Sequence, residues 1–142
     1  MSGAGYFIDT NVIIDFIKGT DTPIVKQLSE LLTQDDIQLT INIIVLMEVL
    51  RVIPKGEDKK FFDVQKIILG SFQLIDIDHD IILRSIDLNR LGRSQGITLK
   101  KENECGWLDY VHYATAEKYG LEIISNDRDM DKIKGMLQYF QM

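Results

Sequence analysis

With 142 residues the chain is sized for one folding domain, and a single unit spanning 1–142 is expected. Its 45% hydrophobic and 27% charged residues are the balance of a soluble globular protein, and one cysteine, Cys105, excludes an internal disulfide framework and suits a reducing, cytoplasmic setting. Sixteen Lys and Arg against 22 Asp and Glu leave a net charge of −6, which excludes holding nucleic acid by bulk charge alone but not an acidic site that recruits cations. No apolar run reaches the length of a membrane span, the longest being Ile43 to Met47, and no secretory leader pattern opens the sequence.

In chain order, Tyr6-Phe7-Ile8 is a short apolar run ending at Asp9 and predicts a buried strand. Val12, Ile13, Phe16 and Ile17 have helical spacing, stopped by Gly19, and Pro23 opens a helix with Ile24, Leu28, Leu31 and Leu32 on one face. Gln38 to Ile41 predicts a strand, followed by Asn42 as the N-cap of an apolar helix that ends before Pro54. A helix from Glu57 to Leu69 closed by Gly70, a strand within Phe72 to Ile77, and a helix from Asp80 to Leu91 ended by Gly92 come next. After the irregular stretch 92–106, a helix over Leu108 to Tyr119 precedes a strand at Glu122-Ile123-Ile124. A helix near Asp131 to Met136 and a last short strand, Leu137 to Phe140, complete the pattern. Alternating strands and helices imply an α/β architecture with a mainly parallel sheet, whose ligands belong beyond the carboxyl ends of the strands.

Four acids stand out. Asp9 and Asp127 follow predicted strands, Glu48 has seven apolar residues among its eight nearest neighbours in Ile44 to Val52, and Asp109 opens a helix. Converging carboxylates repel, and a hard divalent cation, Mg²⁺ or Mn²⁺, relieves that repulsion and polarises water for attack on a phosphodiester. Singly, Asp9 and Asp109 read better as a helix cap and a first-turn acid, and Asp127 has turn chemistry as its alternative; Glu48 is the hardest to dismiss, its alternatives being a solvated edge or a salt bridge to Arg51. The coincidence of all four favours a site.

The words around these acids, Tyr6-Phe7-Ile8-Asp9-Thr10-Asn11, Thr40-Ile41-Asn42 through Met47-Glu48-Val49, Asp109-Tyr110-Val111-His112-Tyr113-Ala114-Thr115-Ala116 and Ile123-Ile124-Ser125-Asn126-Asp127-Arg128-Asp129-Met130, resemble in order and spacing the four motifs of the PIN-domain family. The resemblance covers Tyr6 to about Lys134. It implies a three-layer α/β/α fold with a mainly parallel five-stranded sheet and a Mg²⁺- or Mn²⁺-dependent endoribonuclease, of the kind found as VapC-like toxins in VapBC-type pairs. Asp9, Glu48, Asp109 and Asp127 would form the acidic quartet, with Thr10, Asn11 and Ser125 as polar support and Asp129 as an accessory acid. RNA substrate, a homodimer and a small antitoxin partner are implied with it. Asn42 stands where Ser or Thr is usual, Met130 where Phe is common, and the stretch 92–106 is longer than in compact members.

Arg90, Arg93, Lys100, Lys101 and His112 are candidate substrate contacts, against the alternatives of a solvated basic loop and a packed helix histidine. His79 reads as part of a helix-start cluster, Trp107 as a core or interface residue, and Cys105 lacks any Cys-His nucleophile pattern. Competing functions are a housekeeping RNA-processing nuclease, a haloacid-dehalogenase-type phosphatase and a non-catalytic partner-binding module. The phosphatase class wants an Asp two residues after the first, where this chain has Asn11, and retention of four acids argues against a decayed module.

Overall fold

The structure, a computed structural model, describes residues 5–97 and 107–141, so Lys100, Lys101 and Cys105 lie outside the described residues. The packing divides into two compact units, one built from Met1–Asp76 with Gly120–Asn126 and the other from Ile77–Tyr119 with Asp127–Met142.

The first unit contains β1 (Gly5–Ile8), α1 (Thr10–Lys18), α2 (Pro23–Leu32), β2 (Gln38–Asn42), α3 (Ile43–Leu50), α4 (Asp58–Ser71), β3 (Gln73–Ile75) and, returning later in the chain, β4 (Glu122–Ile124). The four strands pair in parallel in the order β3-β2-β1-β4, with Phe7 opposite both Thr40 and Ile123. A parallel sheet puts the carboxyl ends of its strands along one edge, so the residues following Ile8 and Ile124 share that edge. Phe7, Ile8, Val12, Ile13, Leu28, Ile41, Val45 and Ile68 form its core. Local chemistry sets the helix limits: Thr22 caps α2 ahead of Pro23, Asn42 caps α3, and Gly19 ends α1 in the left-handed conformation at φ 72°. Gly70, read from sequence as a stop, lies inside α4, whose end comes at Ser71.

The second unit holds α5 (His79–Ser94), α6 (Leu108–Lys118) and α7 (Arg128–Gln141). Two sequence expectations are corrected here. The fifth strand at Leu137 to Phe140 is absent, because α7 runs on to Gln141. Buried Met130, Ile133, Met136 and Leu137 have the spacing of one helix face, and a short segment that follows on from such a face is helical by continuation. Likewise Gly92 does not end α5, which continues to Ser94. Its lack of a side chain serves packing: a Cβ there would meet the Tyr110 hydroxyl at 2.4 Å and its Cζ at 3.3 Å, and Tyr110 is itself buried. Gly92→Ala should therefore destabilise by about 1–2 kcal/mol net, overpacking outweighing the gain in helix propensity. A thermal melt should show a drop of roughly 3–8 °C; a higher melting temperature would show that Tyr110 yields.

Charge pairs clasp α5 to α6. The Arg84 guanidinium donates to both Glu117 carboxylate oxygens at 2.7 and 3.1 Å, and Lys118 pairs with Asp78, the N-cap of α5. The Lys118 hydrogen bond, with help from the Ile81 N–H, holds the Asp78 carboxyl below its ordinary value of 3.8. A depressed carboxyl contributes stability above its unfolded value and loses it as pH falls through the folded one. The stability difference between wild type and Asp78→Asn, which keeps the cap, should accordingly narrow as melts are taken below pH 3.8. A constant difference would mean that the pair adds nothing.

Candidate metal and active site

In the first unit a continuous set of hydrogen bonds joins three segments of the chain. Asp9 follows β1 directly, caps α1 and is 2% exposed. Its Oδ1 accepts from the Thr10 N–H at 2.8 Å, and its Oδ2 accepts from the Ser125 hydroxyl at 2.7 Å. The Asp9 N–H in turn donates to the Ile124 carbonyl at 3.0 Å, which ties the end of β4 to the end of β1. The Thr10 hydroxyl donates to Glu48 Oε1 at 2.8 Å. Glu48 is half-buried on α3, a helix held at its start by Asn42, whose Oδ1 accepts from the Val45 N–H at 3.0 Å. So Asp9 is both a cap and a member of a polar cluster, and Glu48, for which the sequence offered Arg51 as an alternative partner, takes a hydrogen bond from Thr10. Asn11 is half-buried on α1. Sequence reading passed over Asn126, whose Nδ2 donates to Asp15 at 3.3 Å and fastens the segment after β4 to α1.

In the second unit, Asp109 lies in the first turn of α6, Asp127 just ahead of α7, and Asp129 in the first turn of α7. A carboxylate oxygen from each lies within 4.8 Å of the other two, with Asp109 7% and Asp129 1% exposed. Asp127 Oδ1 accepts from the Asp129 N–H at 2.9 Å, a turn that faces the two side chains the same way. Lys132 Nζ is 3.5 Å from Asp129. The α6 interior explains the Ala-Thr-Ala word: Ala114 and Ala116 are buried, and the Thr115 hydroxyl donates to the Val111 carbonyl at 2.7 Å, hiding its polarity inside the helix. Asp129, an accessory acid by sequence, is thus a full member of this group; its position two residues after Asp127 is the signal for it. His112, three residues after Asp109, is buried with it.

At effective dielectric ~20, each ionised carboxylate pair at such a distance repels by roughly 3 kcal/mol. Clustered hard oxygen donors of this kind suit Mg²⁺ or Mn²⁺, so the donor set fits the cation the sequence implied. Of the candidate substrate contacts, Arg90 is exposed and 3.8 Å from Asp87, and Arg93 is exposed near the end of α5. His79 is exposed at the start of α5, and Trp107 is 47% exposed.

Residues 6–136 match the PIN domain family, and the chain belongs to that family. Its architecture is VapC-like. It is similar to chains in three solved complexes: VapBC2 from Rickettsia felis bound to a promoter DNA fragment (17% identity, TM-score 0.72, 91% of this chain and 92% of that one), VapBC-1 from nontypeable Haemophilus influenzae (15%, 0.68, 92% of each) and a toxin–antitoxin complex from Klebsiella pneumoniae (28%, 0.59, 86% of each). No curated protein sequence matches the chain. PIN domains are generally nucleases that use divalent metals, and the acidic cluster this chemistry needs is present.

Proposed function

We propose that this chain is a single PIN-like nuclease domain, 1–142, that hydrolyses RNA phosphodiester bonds with Mg²⁺ or Mn²⁺ as the toxin of a toxin–antitoxin pair in the cytoplasm. The observation that carries the reading is the convergence of Asp109, Asp127 and Asp129, two of them buried. Asp9 and Glu48 complete the proposed acidic set: Ser125, which bonds Asp9, lies only two residues before Asp127 in the chain. A bound cation supplies charge neutralisation and a water acidic enough to attack phosphorus. The chain's own residues do the rest. Asp9, Glu48, Asp109, Asp127 and Asp129 would hold the cation; Thr10 and Ser125 fix carboxylate orientation by donating to Glu48 and Asp9, and Asn11 would add polar support. Arg90, Arg93, Lys100 and Lys101 remain the proposed substrate contacts, the exposed arginines facing phosphate by charge, whereas His112, read from sequence as a further contact, is buried beside Asp109 and out of reach of RNA.

The antitoxin partner is proposed from the company the fold keeps, the toxin–antitoxin complex from Klebsiella pneumoniae among it. Incubation with defined RNAs in Mg²⁺, Mn²⁺ and EDTA, with cut ends mapped, tests the activity. Metal-dependent cutting supports it; intact RNA in both metals, with the protein shown to be folded, would sink it. Toxicity on expression, relieved by a small neighbouring gene product, separates a toxin from a housekeeping processing enzyme. We also propose a homodimer. Two helices compare as follows: α2 buries Val25, Leu28 and Leu31, whereas α4 exposes Phe62, Ile67 and Leu69. Light scattering should give twice the chain mass, and Phe62→Glu should lower it toward the monomer. A monomer mass for wild type at high micromolar concentration would reject the dimer. Among the described residues no helix is long and apolar enough to cross a membrane.

A further inference from the structure

Among the described residues of the second unit, one buried metal-capable side chain besides the acids is an imidazole. His112 is 1% exposed and lies on α6 three residues after Asp109, so the two share one helix face. A ring nitrogen of His112 and a carboxylate oxygen of Asp109 lie within 4.8 Å. Two donors of one ion, at bond lengths near 2.1–2.2 Å, are at most about 4.4 Å apart, so a small side-chain rotation brings both onto one cation. The Asp-x-x-His spacing also has the i, i+3 register by which a Glu-x-x-His pair on one helix serves carboxylate-bridged metal sites. An aliphatic side chain would fill the position without the desolvation cost of an imidazole.

We propose that His112 is a nitrogen ligand to the divalent cation held by Asp109, and that it tilts this site toward Mn²⁺ over Mg²⁺. The inference rests on the metal-dependent reading above. Mg²⁺ demands hard oxygen donors and gains little from imidazole, whereas Mn²⁺ accepts mixed nitrogen and oxygen sets, and the later divalent ions accept them more strongly. The chain has two histidines, His79 and His112, so a nitrogen signal can be assigned.

The test uses tag-free full-length protein and Mn²⁺ alone, with no RNA. Pulsed electron paramagnetic resonance of the Mn²⁺-loaded wild type should show the ¹⁴N coupling of a directly bound imidazole, unchanged in His79→Gln and absent in His112→Gln. Titration of free Mn²⁺ should show the dissociation constant rising about tenfold or more in His112→Gln, with Mg²⁺ affinity changing far less. Stoichiometric Mn²⁺ binding by wild type without ¹⁴N coupling would overturn the proposal while leaving the metal-dependent reading intact. Coupling that persists in folded His112→Gln would overturn it as well. Absence of Mn²⁺ binding in wild type would overturn both. Should His112→Gln fail to fold, the wild type and His79→Gln decide the matter between them.

Discussion

Asp109→Asn should lower RNA cleavage by about a thousandfold, the loss of a few kcal/mol of charge stabilisation at the reacting phosphate, while melting no lower than wild type in EDTA. The reason lies in what surrounds Asp109. It is buried, and its carboxylate lies within 4.8 Å of carboxylate oxygens of Asp127 and Asp129. Without a cation those charges oppose one another, so an isosteric amide removes repulsion. Against that gain stands the loss of a favourable first-turn interaction with the α6 dipole, about 0.3–1 kcal/mol. A residue kept for stability would behave oppositely. If the variant melts well below wild type in EDTA and still cuts RNA, Asp109 is structural and leaves the proposed site.

The second large effect is thermal. Wild type should gain ~2.7 kcal/mol from Mn²⁺ at a hundredfold excess over its dissociation constant. For a chain of this length that raises the melting temperature by roughly 5–10 °C. Asp9→Asn should forfeit most of that gain and nearly all RNA cleavage together. The substitution is chosen because Asp9 also caps α1 and accepts from Ser125. The amide oxygen can still cap, and the amide nitrogen can donate to the Ser125 oxygen, so the fold survives while the charge is lost. Asp9→Ala would confound the two roles by adding a lost cap, about 1 kcal/mol. A full Mn²⁺ response and undiminished cutting in Asp9→Asn would remove Asp9 from the metal site and weaken the nuclease reading with it.

The same two acids show how far the residues could be read before the fold was known. Whatever depended on near neighbours was legible. Pro23 and Asn42 announced helix starts, Gly19 a helix end, and the apolar runs before Asp9 and after Leu121 announced strands, because capping, left-handed turns and periodicity act within a few residues. The order of the four motifs carried the family and the parallel α/β sheet, both of which the structure and the family match support. Misread were the places where a local signal had two meanings. Gly92 looks like a stop and is a clearance for Tyr110, and Leu137 to Phe140 looks like a strand and continues α7.

Tertiary structure alone decided how the acids are held. Glu48 takes its hydrogen bond from Thr10, 38 residues away, and Asp9 takes one from Ser125, 116 residues away. No spacing rule reaches across such separations; only strand pairing in register brings β1 beside β4 and sets Ser125 next to Asp9. Burial was equally hidden. Asp129 and His112 are each polar residues on helices whose exposure, 1% in both cases, depends on which face packs inward. In sequence they are one acid among 22 and one histidine of two, and packing makes them candidates for chemistry because a polar group is stable in the interior only with partners or a cation to meet it.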